Sequence, residues 1–267
     1  MSIVIHKQIM IMCILVGITS LLCAEKKAVF IIGPGRCGSS CTAGLLEILG
    51  LPLGDSFLTA GTIAQHSWNP KGFFEDLHTL QLLDLMLIEM TASALTPIFI
   101  DWNNHPQRAD CKLRIKNDLQ KRFNTFSSFG IKSPPMALFL PLYYEAAQEL
   151  GYTPKIIVIK RNTEEVYASW KNIWHTVLTD NQVVEAVDCY LKAISFYAPL
   201  YDHIEVEFND VIHNTKMIVE KFNRFLPELK LYENVENEIK NFIDKDLKHY
   251  NAHPTRSGTL FRLKTIY

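Results

Sequence analysis

The chain lacks a surplus of charge of either sign. Its 27 Lys and Arg stand against 28 Asp and Glu, a formal net charge of −1. Nothing global therefore selects a nucleic acid or another polyanion, and any basic site must be local. There is no C-x-x-C pair. Four cysteines follow residue 24, namely Cys37, Cys41, Cys111 and Cys189, too few for a disulfide scaffold in 267 residues. Cys37 and Cys41 stand four apart, which leaves a metal or redox pair open beside the plainer reading of small residues packed at a tight turn. No metal site is assigned. Internal repeats and low-complexity segments are missing, which excludes solenoids. Also missing is an apolar run of the ~20 residues that a membrane helix needs.

What is there begins with a leader pattern. Lys7 precedes an apolar stretch from Ile9 to Leu22, followed by small residues and then Glu25-Lys26-Lys27. That layout predicts a secretory signal peptide over 1–24, cut after Ala24. An uncleaved signal anchor is the alternative, and membrane contact is expected only in that case. Residues 25–267 read as one globular domain, since the chain is 48% hydrophobic and 21% charged and can bury a sizeable core.

Short apolar runs predict strands at Ala28–Ile32, Ser128–Lys132, Lys155–Lys160 and Ile204–Phe208. They lack a solvent-facing alternation, as buried parallel strands do. Helical spacing lies between them at Ser40–Leu49, Leu77–Met90, Lys112–Thr125, Leu140–Leu150, Thr163–Ile173 and Asn181–Phe196. Alternating strands and helices give a three-layer α/β/α fold around a central parallel sheet. Ligands of such sheets bind at the carboxyl ends of the strands. Segment 91–127 has few landmarks and is the expected substrate-specific insertion.

The first strand runs into "GPGRCGSSCTAGLL". Gly33 and Gly38 have the spacing of a phosphate-cradling loop, and the following helix points its positive end there. The lysine expected after the second glycine is replaced by Ser39. Arg36 supplies a charge with a planar fork suited to an oxyanion, and Ser39, Ser40 and Thr42 add hydroxyls. Absence of the lysine weighs against ATP or GTP and suits a smaller anionic group. The third strand ends in "KRNTEEVYAS", with Arg161 directly after it and Ser169 eight residues on, a pair able to pinch one phosphate from two sides.

These two stretches resemble the donor motifs of sulfotransferases that use 3′-phosphoadenosine 5′-phosphosulfate (PAPS). The glycine loop is similar to their 5′-phosphosulfate loop, and "RNTEEVYAS" to their 3′-phosphate motif. "NPKGFFED" (69–76) resembles a segment of bacterial-type members, "GIKSPP" (130–135) their strand ending in Lys-Asp-Pro-Arg, and "VEFNDV" (206–211) their later "YEDL" strand end. The likeness covers about residues 27–215. It implies a P-loop NTPase-like sulfotransferase fold and PAPS as co-substrate, without metal. Gly33, Arg36, Gly38, Ser39, Ser40, Cys41, Arg161 and Ser169 are implied as donor ligands. Arg256 in "HPTRSGTLFR" is a weaker match to a C-terminal loop over the nucleotide. Ser133 and Pro135 replace the usual Asp and Arg, and Asn162 replaces a common Asp.

The implied chemistry is in-line attack on sulfur by a hydroxyl or amine acceptor, with carbohydrate one candidate. Arg36 and Lys132 are the expected stabilisers of the leaving oxygen. Glu75, in the half-apolar setting of Phe73 and Phe74, is the expected base, with Asp76 and His78 as fallbacks. Lone His66 and His175 are expected to serve packing or surface. Trp68, Trp102, Phe73, Phe74 and Trp174 could line an acceptor cleft or belong to the core. Two rivals share these features: a secreted binding module with a decayed, inactive site, and a P-loop nucleotide kinase. The leader implies the secretory pathway or cell envelope, and a Golgi lumen in a eukaryote.

Overall fold

The computed structural model describes residues 25–54, 72–229 and 235–243. The leader, His66, Trp68, the start of "NPKGFFED" and Arg256 lie outside the described residues. In chain order the elements are β1 (Lys27–Ile32), α1 (Ser39–Ile48), α2 (Leu77–Glu89), α3 (Arg108–Phe123) and β2 (Ser128–Lys132). Then follow a 3-10 turn at Pro134–Phe139, α4 (Leu140–Glu149), β3 (Thr153–Lys160), α5 (Thr163–Trp174) and α6 (Asp180–Tyr197). The chain continues through β4 (His203–Glu207), α7 (Phe208–His213), α8 (Thr215–Phe225) and α9 (Val235–Phe242).

The four strands form one parallel sheet in the order β2-β1-β3-β4. All six residues of β1 are buried. Successive strand side chains point to opposite faces, so such burial requires cover on both, as the unbroken apolar runs predict. The order places β1 between strands reached in opposite directions. Its crevice with β3 is the topological switch point, where open α/β sheets bind ligands.

All four expected strands are present, and six expected helices appear with shifted ends. The largest shift is at α3, which starts at Arg108 rather than Lys112. Gln107 at its N-cap makes no side-chain cap bond, so no capping signal marks the true start. Three helices after residue 207 were not anticipated. Two of them, α7 and α8, meet at Asn214, which caps without a side-chain bond.

Segment 91–127 is woven into the core. The α3 helix packs along α4 and buries Ile115, Leu119 and Phe123. The Trp102 indole donates to the Leu138 carbonyl at 2.6 Å from a fully buried position. Trp102 thus belongs to the core and not to a cleft. Among the described residues no helix is long and apolar enough to cross a membrane.

Candidate active site

The glycine loop joins β1 to α1, and its two glycines are required for different reasons. A Cβ at Gly33 would stand 2.5 Å from the Cys37 sulfur and 3.0 Å from the Ile159 carbonyl of β3. Gly38 has φ +96°, and a Cβ there would overlap the Phe208 ring. Gly38 caps α1 with no side-chain bond, so the first N–H groups of that helix carry no side-chain acceptor at the cap. Cys37 fills the inside of the loop, and burial pushes its thiol pKa up. Cys41 packs half-buried against the core. Among the described residues no cluster of His, Cys, Asp or Glu is placed to hold a metal.

Arg36 lies at φ +71°, a left-handed backbone that costs a non-glycine residue roughly 1–2 kcal/mol. Neighbours from the β3 end hold it there. Its Nε donates to Ser169 Oγ at 3.1 Å, and its carbonyl accepts from Arg161 Nη1 at 3.0 Å. The preceding Gly35 carbonyl accepts from the Trp170 indole at 2.6 Å. Arg36, Arg161 and Ser169 therefore meet at the β1/β3 switch point, although more than a hundred residues separate Arg36 from the other two. Arg161 also donates through Nε to Glu165 at 2.8 Å, both nearly buried, and its guanidinium lies 5.2 Å from the Phe208 ring. Asn162 caps α5, its Oδ1 accepting from the Glu165 N–H at 3.1 Å.

A second group forms at the end of β2. Lys132 is only 3% exposed, and its ammonium donates to Ser40 Oγ at 3.2 Å, to the Phe73 carbonyl at 3.2 Å and to the Glu75 carboxylate. The Phe74 backbone between them is left-handed at φ +53°, and its ring meets Phe242 of α9 edge-on at 5.8 Å. The expected base and the expected cation are thus in direct contact, and Ser40 at the start of α1 accepts from the same ammonium.

The other candidates fall elsewhere. Asp76 is fully buried as the N-cap of α2, accepting from the Thr79 N–H at 2.8 Å and from Arg122 at 2.6 Å. Its carboxylate is committed to that role. His78 is exposed on α2. His175 is exposed too, its Nδ1 2.9 Å from the Asn172 carbonyl. The Thr42 hydroxyl turns back to the Gly38 carbonyl at 3.3 Å and is no outward donor. Ser133 is buried, its hydroxyl without a hydrogen bond. Sequence reasoning missed Trp170, Glu165 and Arg122. Glu165 was readable as an (i, i+4) partner of Arg161, whereas nothing local marks the other two.

No protein family and no curated protein matches the chain. Solved structures similar to it include sulfotransferase STF1 from Mycobacterium tuberculosis, at 13% identity and a TM-score of 0.47, spanning 82% of this chain and 72% of that one. The sulfotransferase domain of the Synechococcus PCC 7002 olefin synthase matches at 17% identity and a TM-score of 0.47, over 90% of each chain. A sugar kinase from Janibacter matches at 10% identity and a TM-score of 0.43, over 78% of this chain and all of that one. Likenesses at this level carry no argument about chemistry, which rests on the residues of the site.

Proposed function

We infer that the chain transfers a sulfonate group from PAPS to a hydroxyl or amine acceptor. One observation carries the reading. A phosphate-type loop without lysine and an arginine–serine pair from another strand end meet at one crevice. Two adjacent anion centres suit a nucleotide with one charged group at its 5′ end and another on its 3′ oxygen. The start of α1 supports the fit, since its first N–H groups meet no side-chain acceptor at the cap and suit an anion.

In this mechanism the acceptor oxygen or nitrogen attacks sulfur, and the bond from sulfur to the bridging oxygen of the 5′-phosphate breaks. The bridging oxygen keeps the electron pair. Arg36 and Lys132 meet the growing charge, with the N–H groups at the start of α1. Glu75 takes the acceptor proton. Once neutral it no longer attracts Lys132, whose charge is released toward the leaving oxygen. A carbohydrate hydroxyl is one acceptor that suits this reading, and the leader pattern of the sequence supports a place in the secretory pathway or cell envelope, or in a Golgi lumen in a eukaryote.

Isothermal calorimetry with adenosine 3′,5′-bisphosphate, ATP and GTP tests the reading. Binding of the bisphosphate alone is expected. Preference for ATP or GTP selects a kinase, and binding of none selects a decayed module.

A further inference from the structure

The α2 helix starts on a buried ionic knot. The Asp76 side chain is 0% exposed and that of Arg122, from α3, is 10% exposed. Arg122 Nη1 donates to Asp76 Oδ1 at 2.6 Å and Nη2 to Thr79 Oγ1 at 2.9 Å. Its Nε and Nη2 grip both oxygens of Asp118, at 2.9 and 2.6 Å, and its guanidinium lies 4.7 Å from the Phe123 ring. Asp76 Oδ2 is buried without a hydrogen bond. Gly54 closes over it so tightly that a Cβ would stand 2.8 Å away.

Capping alone does not call for this arrangement. Ser, Thr or Asn caps a helix as well as Asp and brings no buried charge. Buried ion pairs add little net stability over apolar packing. What the planar fork adds is geometry: it pins the cap residue and the third residue of the first turn of α2 to α3 at once. Glu75 is one peptide bond away, and its carboxylate lies on Lys132. A turn of Asp76 would swing Glu75 off the ammonium.

We propose that Arg122 is a positioning residue that acts through Asp76 to hold Glu75 against Lys132. The proposal rests on Glu75 as the proton acceptor of the reaction inferred above. It assigns to α3, a helix with no residue at the donor loop, control over the catalytic step.

The test uses the full chain, with release of adenosine 3′,5′-bisphosphate from PAPS to water as the readout. Arg122→Gln is expected to lower kcat by about 10²-fold, the usual cost of a group displaced by an ångström. KM for PAPS and bisphosphate affinity are expected to stay near wild type. Arg122→Lys, which keeps a cation on Asp76, should recover part of the loss, as should added guanidinium with Arg122→Ala. Arg122→Gln combined with Asp76→Asn removes both charges and keeps a capping side chain, which guards against failure to fold. A crystal structure of that pair is expected to show Glu75 away from Lys132. Wild-type kcat in the folded variants, kcat and affinity falling together, or Glu75 retained on Lys132 would each overturn the proposal. Failure of the wild type to bind the bisphosphate would instead overturn the reading on which it rests.

Discussion

On the proposed donor half of the site most loop contacts run to main-chain atoms, beside the Arg36–Ser169 bond and the Arg161–Glu165 ion pair, whereas on the proposed acceptor half the main ties are between charged side chains. Arg161, Trp170 and Thr42 all donate to carbonyls of the glycine loop. Lys132 with Glu75, and Arg122 with Asp76 and Asp118, are ion pairs between buried or nearly buried groups. A cradle made of backbone depends on where glycine stands and tolerates changes in neighbouring side chains. A half made of buried pairs fails when one member changes, because the partner is left charged and enclosed.

The largest effect expected is on the acceptor half. Glu75→Gln should lower turnover by roughly 10²–10⁴-fold, the usual worth of a positioned base, with bisphosphate affinity near wild type. Steady-state rates beside calorimetry check this. Retention of most activity would remove Glu75 from the mechanism, and His78→Ala, on an exposed site, serves as the control expected to change nothing.

Next comes the cradle itself. Gly38→Ala forces a Cβ into the Phe208 ring at a left-handed backbone. A cost of about 3 kcal/mol is expected from the overpacking, read by urea unfolding, together with loss of bisphosphate binding. Wild-type stability in that variant would mean that the loop relaxes, and the contrast between a fixed backbone half and a fragile side-chain half would dissolve.

The smallest effect sharpens the donor half internally. Arg161→Ala should weaken bisphosphate binding by about 1.5–3 kcal/mol, and Ser169→Ala by about 1 kcal/mol. AMP, which lacks the 3′-phosphate, should be nearly unaffected by either. Equal losses for the two ligands in calorimetry would show that Arg161 and Ser169 serve the loop and not a 3′-phosphate.

The same contrast explains what could be read from the sequence. The meeting of the glycine loop with Arg161 was legible because each follows a strand directly: Gly33 after β1, Arg161 after β3. The strands were legible because buried parallel strands are unbroken apolar runs. Lys132 was legible for the same reason, standing at the end of β2. The network behind Glu75 was not. Asp76 looked like a spare base because a capping side chain and a catalytic one are the same residue type. Its partner Arg122 is 46 residues away on a helix whose start carries no signal. Trp102 could not be sorted between cleft and core until the Leu138 carbonyl came within its reach. Helix α7 is a short one that starts from Glu207 without a cap bond, and α8 starts from Asn214, whose side chain donates to Asp210 Oδ1 instead of capping.

The position of β1 has a consequence in time. Lys27 pairs with Ser128 on one side and Thr153 on the other, so the strand that carries the glycine loop emerges first and must wait for both of its neighbours. At synthesis rates of roughly 5–20 residues per second, its apolar edge waits for many seconds before β2 and then β3 leave the ribosome. Closing such long loops is slow and exposes unpaired edges meanwhile.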